Sequence, residues 1–202
     1  MSKGLKTGLI VLGIIVLIIF SLYGCVTRSY NSMVAADENV KAAWSQVENV
    51  YQRRFDLIPN LVNTVKGYAN HEEKVFTEIA EMRSRAGGVV QISGEALDNP
   101  ETFEKFQKAQ GELGGALQRL LSVAENYPEL KANENFRDLQ SQLEGTENRI
   151  AVERKRFNET VQQYNMLVRR FPQATFANMF GFREKPYFKA DERAAAAPQV
   201  SF

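Results

Sequence analysis

Cysteine and histidine, which build many catalytic and metal sites, are almost absent from this chain of 202 residues, which holds one of each. A single cysteine, Cys25, excludes an internal disulfide and every multi-cysteine metal cluster. A single histidine, His71, excludes a two-histidine metal site and leaves one imidazole as a candidate general base. We therefore expect no bound metal and no cofactor.

The chain also lacks an excess of charge of either sign. It has 25 lysines and arginines against 24 aspartates and glutamates, and residues 1–26 hold two of the lysines and no acid. Residues 27–202 therefore carry 23 basic and 24 acidic side chains. Because a nucleic-acid-binding protein gathers a basic excess on one face, we expect no nucleic-acid partner.

Residues 9–26 form one long apolar run, LIVLGIIVLIIFSLYGCV, which contains no charge and is flanked by Lys3, Lys6 and Arg28. A helix of this length would be ~27 Å long, close to the ~30 Å hydrocarbon core of a bilayer. The alternative is a buried core helix, but the rest of the chain has narrower apolar stripes with partners of their own. The sequence predicts one transmembrane helix at residues 9–26, after a short basic segment at residues 1–8.

Cys25 leaves a second form of membrane insertion open. Leu22-Tyr23-Gly24-Cys25 resembles the lipobox of a bacterial lipoprotein, although Tyr23 is bulkier than the small residue usual at that position. The run is also longer than the roughly 7–15 apolar residues of a signal peptide. We favour an uncleaved, single-pass anchor over a lipoprotein lipidated at Cys25. In the simpler alternative this cysteine is an inert thiol at the membrane boundary.

The lysines that precede the span indicate its orientation. Lys3, Lys6 and the α-amine lie on the short side, and positive charge favours the cytoplasmic side of a membrane. We predict a cytoplasmic amino terminus, with the remainder of the chain outside.

From Tyr30 onward, residues recur at alternating steps of three and four, which is typical of the a/d seam of a coiled coil. The positions are Tyr30, Met33, Asp37, Val40, Trp44, Val47, Tyr51, Arg54, Ile58, Leu61, Val65 and Tyr68. No glycine or proline lies between Cys25 and Ile58, so we predict that the membrane helix continues into this one without a break.

Further helices follow from capping residues and apolar stripes. The second is predicted to have its N-cap at Asn70 and to stop at the Gly87-Gly88 pair, with a loop over residues 87–99. Asn99 then caps a third helix that ends before Pro128, and a last long helix runs from about residue 133 to residue 171.

The predicted fold class is all-α, because no segment shows the alternating pattern of a strand. We expect an elongated antiparallel bundle of about four long helices over residues 27–182, preceded by the transmembrane helix. If the first and last long helices pack antiparallel with aligned ends, facing residue numbers add to about 201. Arg54 of the seam then meets Glu147, the acid partner that a buried charge needs. Residues 183–202 have little apolar pattern, and we expect a disordered tail.

The candidate docking residues are aromatic and lie at the end of the predicted bundle: Phe176, Phe180, Phe182, Tyr187 and Phe188. One interpretation is a short helix at residues 176–182 that caps the bundle. The functional interpretation is a surface that docks to a membrane interface or a partner protein, since aromatic residues favour both settings.

No catalytic arrangement emerges from the remaining residues. His71 lies beside Glu72 and Glu73, which would suit a general base, but the position is more typical of a solvated first turn of a helix. We expect no catalytic residue, no small-molecule substrate and no enzymatic activity.

Several blocks of the sequence are similar to the LemA family over about residues 1–190. They are Tyr30-Asn31, Asn39-Val40-Lys41-Ala42-Ala43-Trp44-Ser45, Arg53-Arg54-Phe55-Asp56-Leu57-Ile58-Pro59-Asn60-Leu61-Val62, Glu125-Asn126-Tyr127-Pro128-Glu129-Leu130, Thr146-Glu147-Asn148-Arg149-Ile150-Ala151 and Phe180-Gly181-Phe182. The resemblance implies a bacterial membrane protein with a helical-bundle domain and no established enzymatic activity. It transfers no site residue.

Two functions are compatible with this sequence. The leading hypothesis is a membrane-anchored scaffold or adaptor of the bacterial cell envelope, acting through another envelope protein or through self-association. The alternative is direct action on lipid, in which the candidate docking residues at the carboxy-terminal end of the bundle shape or tether a bilayer.

Overall fold

The computed structural model describes residues 3–69, 71–90 and 96–189, and within these ranges the chain is α-helical without a strand. The helices are α1 (Lys3–Lys66), α2 (Glu73–Val90), α3 (Pro100–Ala124), α4 (Pro128–Ala132), α5 (Glu134–Arg169) and α6 (Gln173–Ala177), followed by a 3-10 helix (Asn178–Phe180). The predicted all-α class is confirmed.

The chain divides into two compact units. The first unit comprises Met1–Lys41 and Gln162–Glu184, and the second comprises Ala42–Val161 and Lys185–Phe202. α1 and α5 contribute residues to both.

The apolar segment of α1 has no protein around it. None of the side chains of residues 8–25 is buried, and Phe20 is 77% exposed. Partly buried side chains begin at Val26, and Met33 is fully buried within the first unit. Since the core helix of a soluble protein would be covered, this segment is a candidate membrane span and not a core helix.

The predicted seam of α1 is buried along most of its length. Nine of its twelve positions are buried: Met33, Val40, Trp44, Val47, Tyr51, Arg54, Ile58, Leu61 and Val65. The prediction of an unbroken helix is also confirmed, because α1 runs from Lys3 to Lys66 and includes Pro59.

Within the second unit, α1 and α5 pack antiparallel. The rings of Trp44 and Phe157 lie 5.3 Å apart, and the Tyr68 hydroxyl accepts a hydrogen bond of 3.0 Å from Nδ2 of Asn133. The numbers of each pair add to 201, as in the end-aligned arrangement expected from the sequence.

Asparagine caps begin two of the helices. Oδ1 of Asn99 accepts hydrogen bonds from the backbone N–H groups of Glu101 and Thr102, at 3.0 and 3.3 Å. Oδ1 of Asn133 likewise accepts from the first turn of α5. These contacts satisfy N–H groups that have no partner within a helix. The other cap predicted from the sequence, Asn70, lies outside the described residues, and the cap at Asn133 was not predicted.

The prediction that Gly87 and Gly88 end α2 is wrong, because the helix continues to Val90. A Cβ atom at Gly87 would lie 3.1 Å from Cζ of Phe55. The glycine therefore allows the Phe55 ring to approach the backbone of α2. Glycine disfavours a helix by only about 1 kcal/mol relative to alanine, which packing of this kind offsets.

The prediction of a disordered tail over residues 183–202 is wrong for residues 185–189, which pack within the second unit. Nζ of Lys185 lies 2.6 Å from Oδ1 of Asp98. The Asn158 side chain donates to the carbonyl of Phe188 at 3.0 Å and accepts from its N–H at 2.9 Å. Periodicity did not reveal this segment, because distant helices hold it through polar contacts. Residues 190–202 lie outside the described part of the chain.

Phe188 completes an aromatic cluster at the centre of the second unit. Its ring centroid lies 4.8–6.5 Å from those of four other rings, which belong to Trp44, Phe103, Phe106 and Phe157. Tilted and edge-to-face pairs at such distances are favourable beyond the area that they bury. An extended segment thus contributes a core residue.

A buried arginine joins three helices of the second unit. Arg54 of α1 is 3% exposed, and its Nη1 lies 3.2 Å from Oε1 of Glu147 on α5. Its Nη2 donates to the carbonyl oxygen of Gln110 on α3 at 3.2 Å and also bonds the Gln110 side chain. The guanidinium lies 5.0 Å from the ring centroid of Tyr51, and burial raises the pKa of the Tyr51 phenol, which therefore stays neutral. These contacts provide partners for Nη1 and Nη2 of the buried charge, whereas its Nε is buried without a hydrogen bond.

Replacing Glu147 with glutamine tests this ion pair. We expect Glu147→Gln to lower the free energy of unfolding by about 1–3 kcal/mol, because the buried guanidinium of Arg54 loses its opposite charge and keeps only a weaker, neutral hydrogen-bond acceptor. Loss of one partner of a fully buried pair costs more, about 3–5 kcal/mol, but the Glu147 side chain is 42% exposed. The measurement is denaturant unfolding of the full chain in detergent, followed by circular dichroism.

The matched control is Glu159→Gln on the same helix. Glu159 is 56% exposed and lies 3.9 Å from Lys155, so the change should stay within about 0.5 kcal/mol. Equal losses in the two variants would contradict a structural role for Glu147.

Replacing Phe188 tests the ordered part of the tail. Phe188→Ala should lower the free energy of unfolding by about 3 kcal/mol, because it removes a ring from a filled core. Phe171→Ala, at a phenylalanine that is 81% exposed, should change it by less than about 0.5 kcal/mol. Thermal unfolding of both variants gives the comparison, and an unaltered midpoint for Phe188→Ala would show that residues 185–189 do not pack on the core.

Candidate functional site at the membrane boundary of the first unit

The first hydroxyl groups after the apolar segment are satisfied by α1 itself. Oγ1 of Thr27 lies 3.0 Å from the carbonyl oxygen of Tyr23 and 3.1 Å from that of Gly24. Oγ of Ser32 donates to the carbonyl of Ser29 at 2.8 Å. Hydroxyl groups bonded to their own helix in this way need no water. The boundary between lipid and protein surroundings can therefore lie near residue 27 without leaving the hydroxyl group of Thr27 or Ser32 without a hydrogen-bond partner.

A tight turn folds the chain back after the 3-10 helix. Gly181 has φ 82°, in the left-handed region that glycine adopts readily. The N–H of Phe182 donates to the carbonyl of Ala177 at 2.9 Å. The turn brings the rings of Phe180 and Phe182 to 5.1 and 5.8 Å from the ring of Tyr30, in edge-to-face contact. Phe180 and Phe182, which lie after α6, thus contact Tyr30, which lies shortly after the apolar segment.

We call Phe171, Phe176, Met179, Phe180 and Phe182 the aromatic end. Phe171 is 81% exposed and Met179 is 75% exposed. Phe180 is exposed as well, whereas Phe176 and Phe182 are half-buried. The aromatic end therefore has an inner face on Tyr30 and an outer face on which Phe171 and Met179 are largely exposed.

The five candidate docking residues that were predicted from the sequence belong to two different units of the structure. Phe176, Phe180 and Phe182 lie in the first unit, and Tyr187, which is exposed, lies in the second unit. Phe188 is only 6% exposed. Its assignment to a docking surface is wrong, because its ring is part of the aromatic core.

Sequence reasoning omitted three members of this site. Phe171 and Met179 occur in the same aromatic stretch but were not among the candidates, and Tyr30 was counted only as a seam position. Tyr30 is 41% exposed. Its place as the first residue of the seam was the one available signal, because no seam residue precedes it and one side of its ring is left for another contact.

Basic side chains accompany the aromatic end. Arg28, Arg169, Arg170 and Arg183 are exposed and belong to the first unit. The nearby acid is Glu184, whose Oε1 lies 3.7 Å from Nε of Arg169. Arginines next to exposed aromatic side chains suit a surface with phosphate groups, to which the guanidinium donates hydrogen bonds.

Farther along α1, the charges of the first unit compensate one another. Nζ of Lys41 lies 2.8 Å from Glu38 and 2.9 Å from Asp37. Hydrogen bonds from Lys41 to Glu38 and Asp37, together with their negative charge, raise the pKa of Lys41 above its usual value. The lysine therefore stays charged, and the basic excess of the first unit lies toward the span.

The two residues with the most reactive side chains are exposed. Cys25 lies at the end of the apolar segment, and His71 lies in the turn before α2. Among the residues that the structure describes, no group of three or more histidine, cysteine, aspartate or glutamate side chains could hold a metal ion.

Comparison with known proteins gives relatives over most of the chain. The magnetosome protein MamQ of Magnetospirillum gryphiswaldense is 26% identical over 209 residues, which cover 95% of this chain and 77% of the relative. The magnetosome proteins MamQ 1 and MamQ 2 of Paramagnetospirillum magneticum are each 27% identical over 206 residues, which cover 92% of this chain and 75% of each relative.

The family comparison agrees with the resemblance seen in the sequence. The profile of the LemA family matches residues 43–202, which is more than half of the chain. The apolar segment that precedes the match is exposed throughout and long enough to cross a membrane. The chain is a membrane-associated protein that belongs to the LemA family.

Proposed function

We propose that the protein is a membrane-anchored scaffold or adaptor of the bacterial envelope, which associates with another envelope protein or with copies of itself. The observation that carries this proposal is the continuity of α1. One helix of 64 residues supplies both the exposed apolar segment and the seam on which the second unit packs. A partner that binds the helical body is thereby held at the membrane.

The interior of the second unit supports a structural role. The Arg54 guanidinium is held by Glu147 and Gln110, which lie on two other helices. A change in helix packing would leave this buried charge without partners, at a cost of several kcal/mol. A body with one preferred packing presents a constant surface to a partner.

The exposed face of α5 supports a reversible, polar interface. The exposed side chains of Lys155 and Glu159 lie 3.9 Å apart, and the exposed Arg156 lies 3.0 Å from Glu153, which is partly buried. An ion pair between exposed side chains, such as Lys155 and Glu159, contributes little to stability, so its side chains exchange partners at low cost. Such charges set the specificity and rate of association more than its strength.

The proposal assigns the protein no enzymatic reaction. The names of the relatives refer to the magnetosome and not to a reaction.

A second candidate function is direct action on lipid through the aromatic end. The contact of Phe180 and Phe182 with Tyr30 favours it, because this contact lies close to the end of the apolar segment. With Phe188 in the core, the candidate surface consists of the aromatic end and not of the full set expected from the sequence.

The proposed orientation places the amino terminus in the cytoplasm and the helical body outside, because Lys3 and Lys6 precede the span. The lipoprotein alternative keeps the body on the same side. Palmitate incorporation that is lost in Cys25→Ala would identify that alternative.

Chemical cross-linking tests the scaffold. Brief treatment of intact membranes with formaldehyde, followed by detergent extraction, should yield discrete species of higher mass that contain the protein. The physical reason is that associated chains hold reactive groups close together, whereas diffusing chains do not. The control is the same treatment after denaturation, which should leave the monomer. Monomer alone from native membranes would argue against the proposal.

Reporter fusions test the orientation. Alkaline phosphatase fused after residue 60 or at the carboxy terminus should be active, because it folds outside the cytoplasm. Reversal of the flanking charge by Lys3→Glu and Lys6→Glu should reduce that activity, since positive residues retain a segment in the cytoplasm. Inactive fusions at both positions, with fluorescent cytoplasmic reporters active instead, would reverse the proposed orientation.

A further inference from the structure

The aromatic end lies at a defined depth relative to the apolar segment. Tyr30, which contacts Phe180 and Phe182, follows Val26 by four residues on the same helix. Four residues advance an α-helix by about 6 Å. The headgroup layer on each side of the ~30 Å hydrocarbon core is about 5–7 Å thick. When the apolar segment spans the hydrocarbon core, the rings on Tyr30 therefore lie in the headgroup layer.

The most exposed side chains of the aromatic end are apolar. Phe171 and Met179 are 81% and 75% exposed, and they lie on either side of α6. The ring contacts with Tyr30 and the backbone hydrogen bonds of the turn at Gly181 hold the segment in place. These side chains thus do not depend on a disordered loop to reach the membrane surface.

The charge at this end matches an anionic surface. Arg28, Arg169, Arg170 and Arg183 are exposed, and Glu184 is the acid beside them. Basic residues next to a membrane are attracted to anionic lipid headgroups. Aromatic residues are enriched at the same depth, where one part of the side chain meets acyl chains and the other meets water.

We propose that the aromatic end docks into the headgroup layer of the bilayer that α1 spans, with a preference for anionic lipid. Phe171 and Met179 enter the layer, while Arg170 and Arg183 contact lipid phosphates. The first unit then has two attachments to one bilayer, and the second attachment opposes rotation about the axis of the span. This inference rests on the second candidate function, direct action on lipid, and names anionic lipid as the ligand. The proposed scaffold function does not depend on this docking.

A reporter of local environment in the full chain tests this docking. The fluorophore NBD is attached to Met179→Cys in a Cys25→Ser background, and the protein is reconstituted in vesicles of phosphatidylcholine with phosphatidylglycerol. We expect blue-shifted emission that a headgroup spin label quenches more than a spin label in the middle of the acyl chain. The quenching should decrease in vesicles of phosphatidylcholine alone, and also when Arg170→Gln and Arg183→Gln are introduced.

The matched control is Met166→Cys, at the other exposed methionine of the first unit. Met166 is 65% exposed and lies on α5, one turn before its last residue. NBD at this position should show unshifted emission and weaker quenching.

Three outcomes would overturn the proposal. Equal emission and quenching at positions 179 and 166 would show that the aromatic end has no special contact with lipid. A blue shift at position 179 without quenching by either label would show that protein covers the site. Quenching that is the same in both kinds of vesicle and in the variant with Arg170→Gln and Arg183→Gln would show that the anionic headgroup is not the ligand. In each case, high-mass species in the cross-linking experiment would still support the proposed scaffold function, so the two proposals can fail separately.

Discussion

The change of surroundings along α1 is the constraint on which the rest of the structure depends. Residues 8–25 have no protein cover, and burial begins at Val26 within the same continuous helix. A helix satisfies its own backbone hydrogen bonds, so it crosses hydrocarbon without other polar partners. Beyond Val26 the helix meets water, and its apolar seam must be covered by protein.

Apolar contacts alone do not define how α1 and its neighbours are aligned. They are non-directional, and a shift by one heptad would place one apolar seam residue where another had been. Arg54 removes this freedom, because only one alignment places Glu147 and Gln110 beside its guanidinium. The contact of Tyr68 with Asn133 continues the same alignment to the end of α1. The proposed constant surface of the body therefore follows from polar contacts inside an otherwise apolar core.

Two aromatic groups that are close in sequence have opposite environments. Phe188 is enclosed by core rings of the second unit, whereas Phe171 and Met179 are exposed in the first unit. The difference arises because Asn158 bonds both backbone groups of Phe188 and directs its ring inward. The turn at Gly181 instead places the aromatic end next to Tyr30. Membrane docking is proposed for the second group alone.

Local pattern was sufficient for the helices, the cap at Asn99, the seam and the apolar span, because periodicity and capping report on neighbours within one helix. The Arg54–Glu147 alignment was also accessible, because a buried charge in a seam requires an acid at a definite height on the facing helix. Local pattern failed at Gly87, at residues 185–189 and at Phe188. The sequence by itself determined which faces of each helix are apolar and where the membrane segment lies. Only the tertiary structure decided where α2 ends and which aromatic residues are core, because these depend on contacts with residues that are not neighbours in sequence, Phe55 against Gly87 and Asn158 against Phe188.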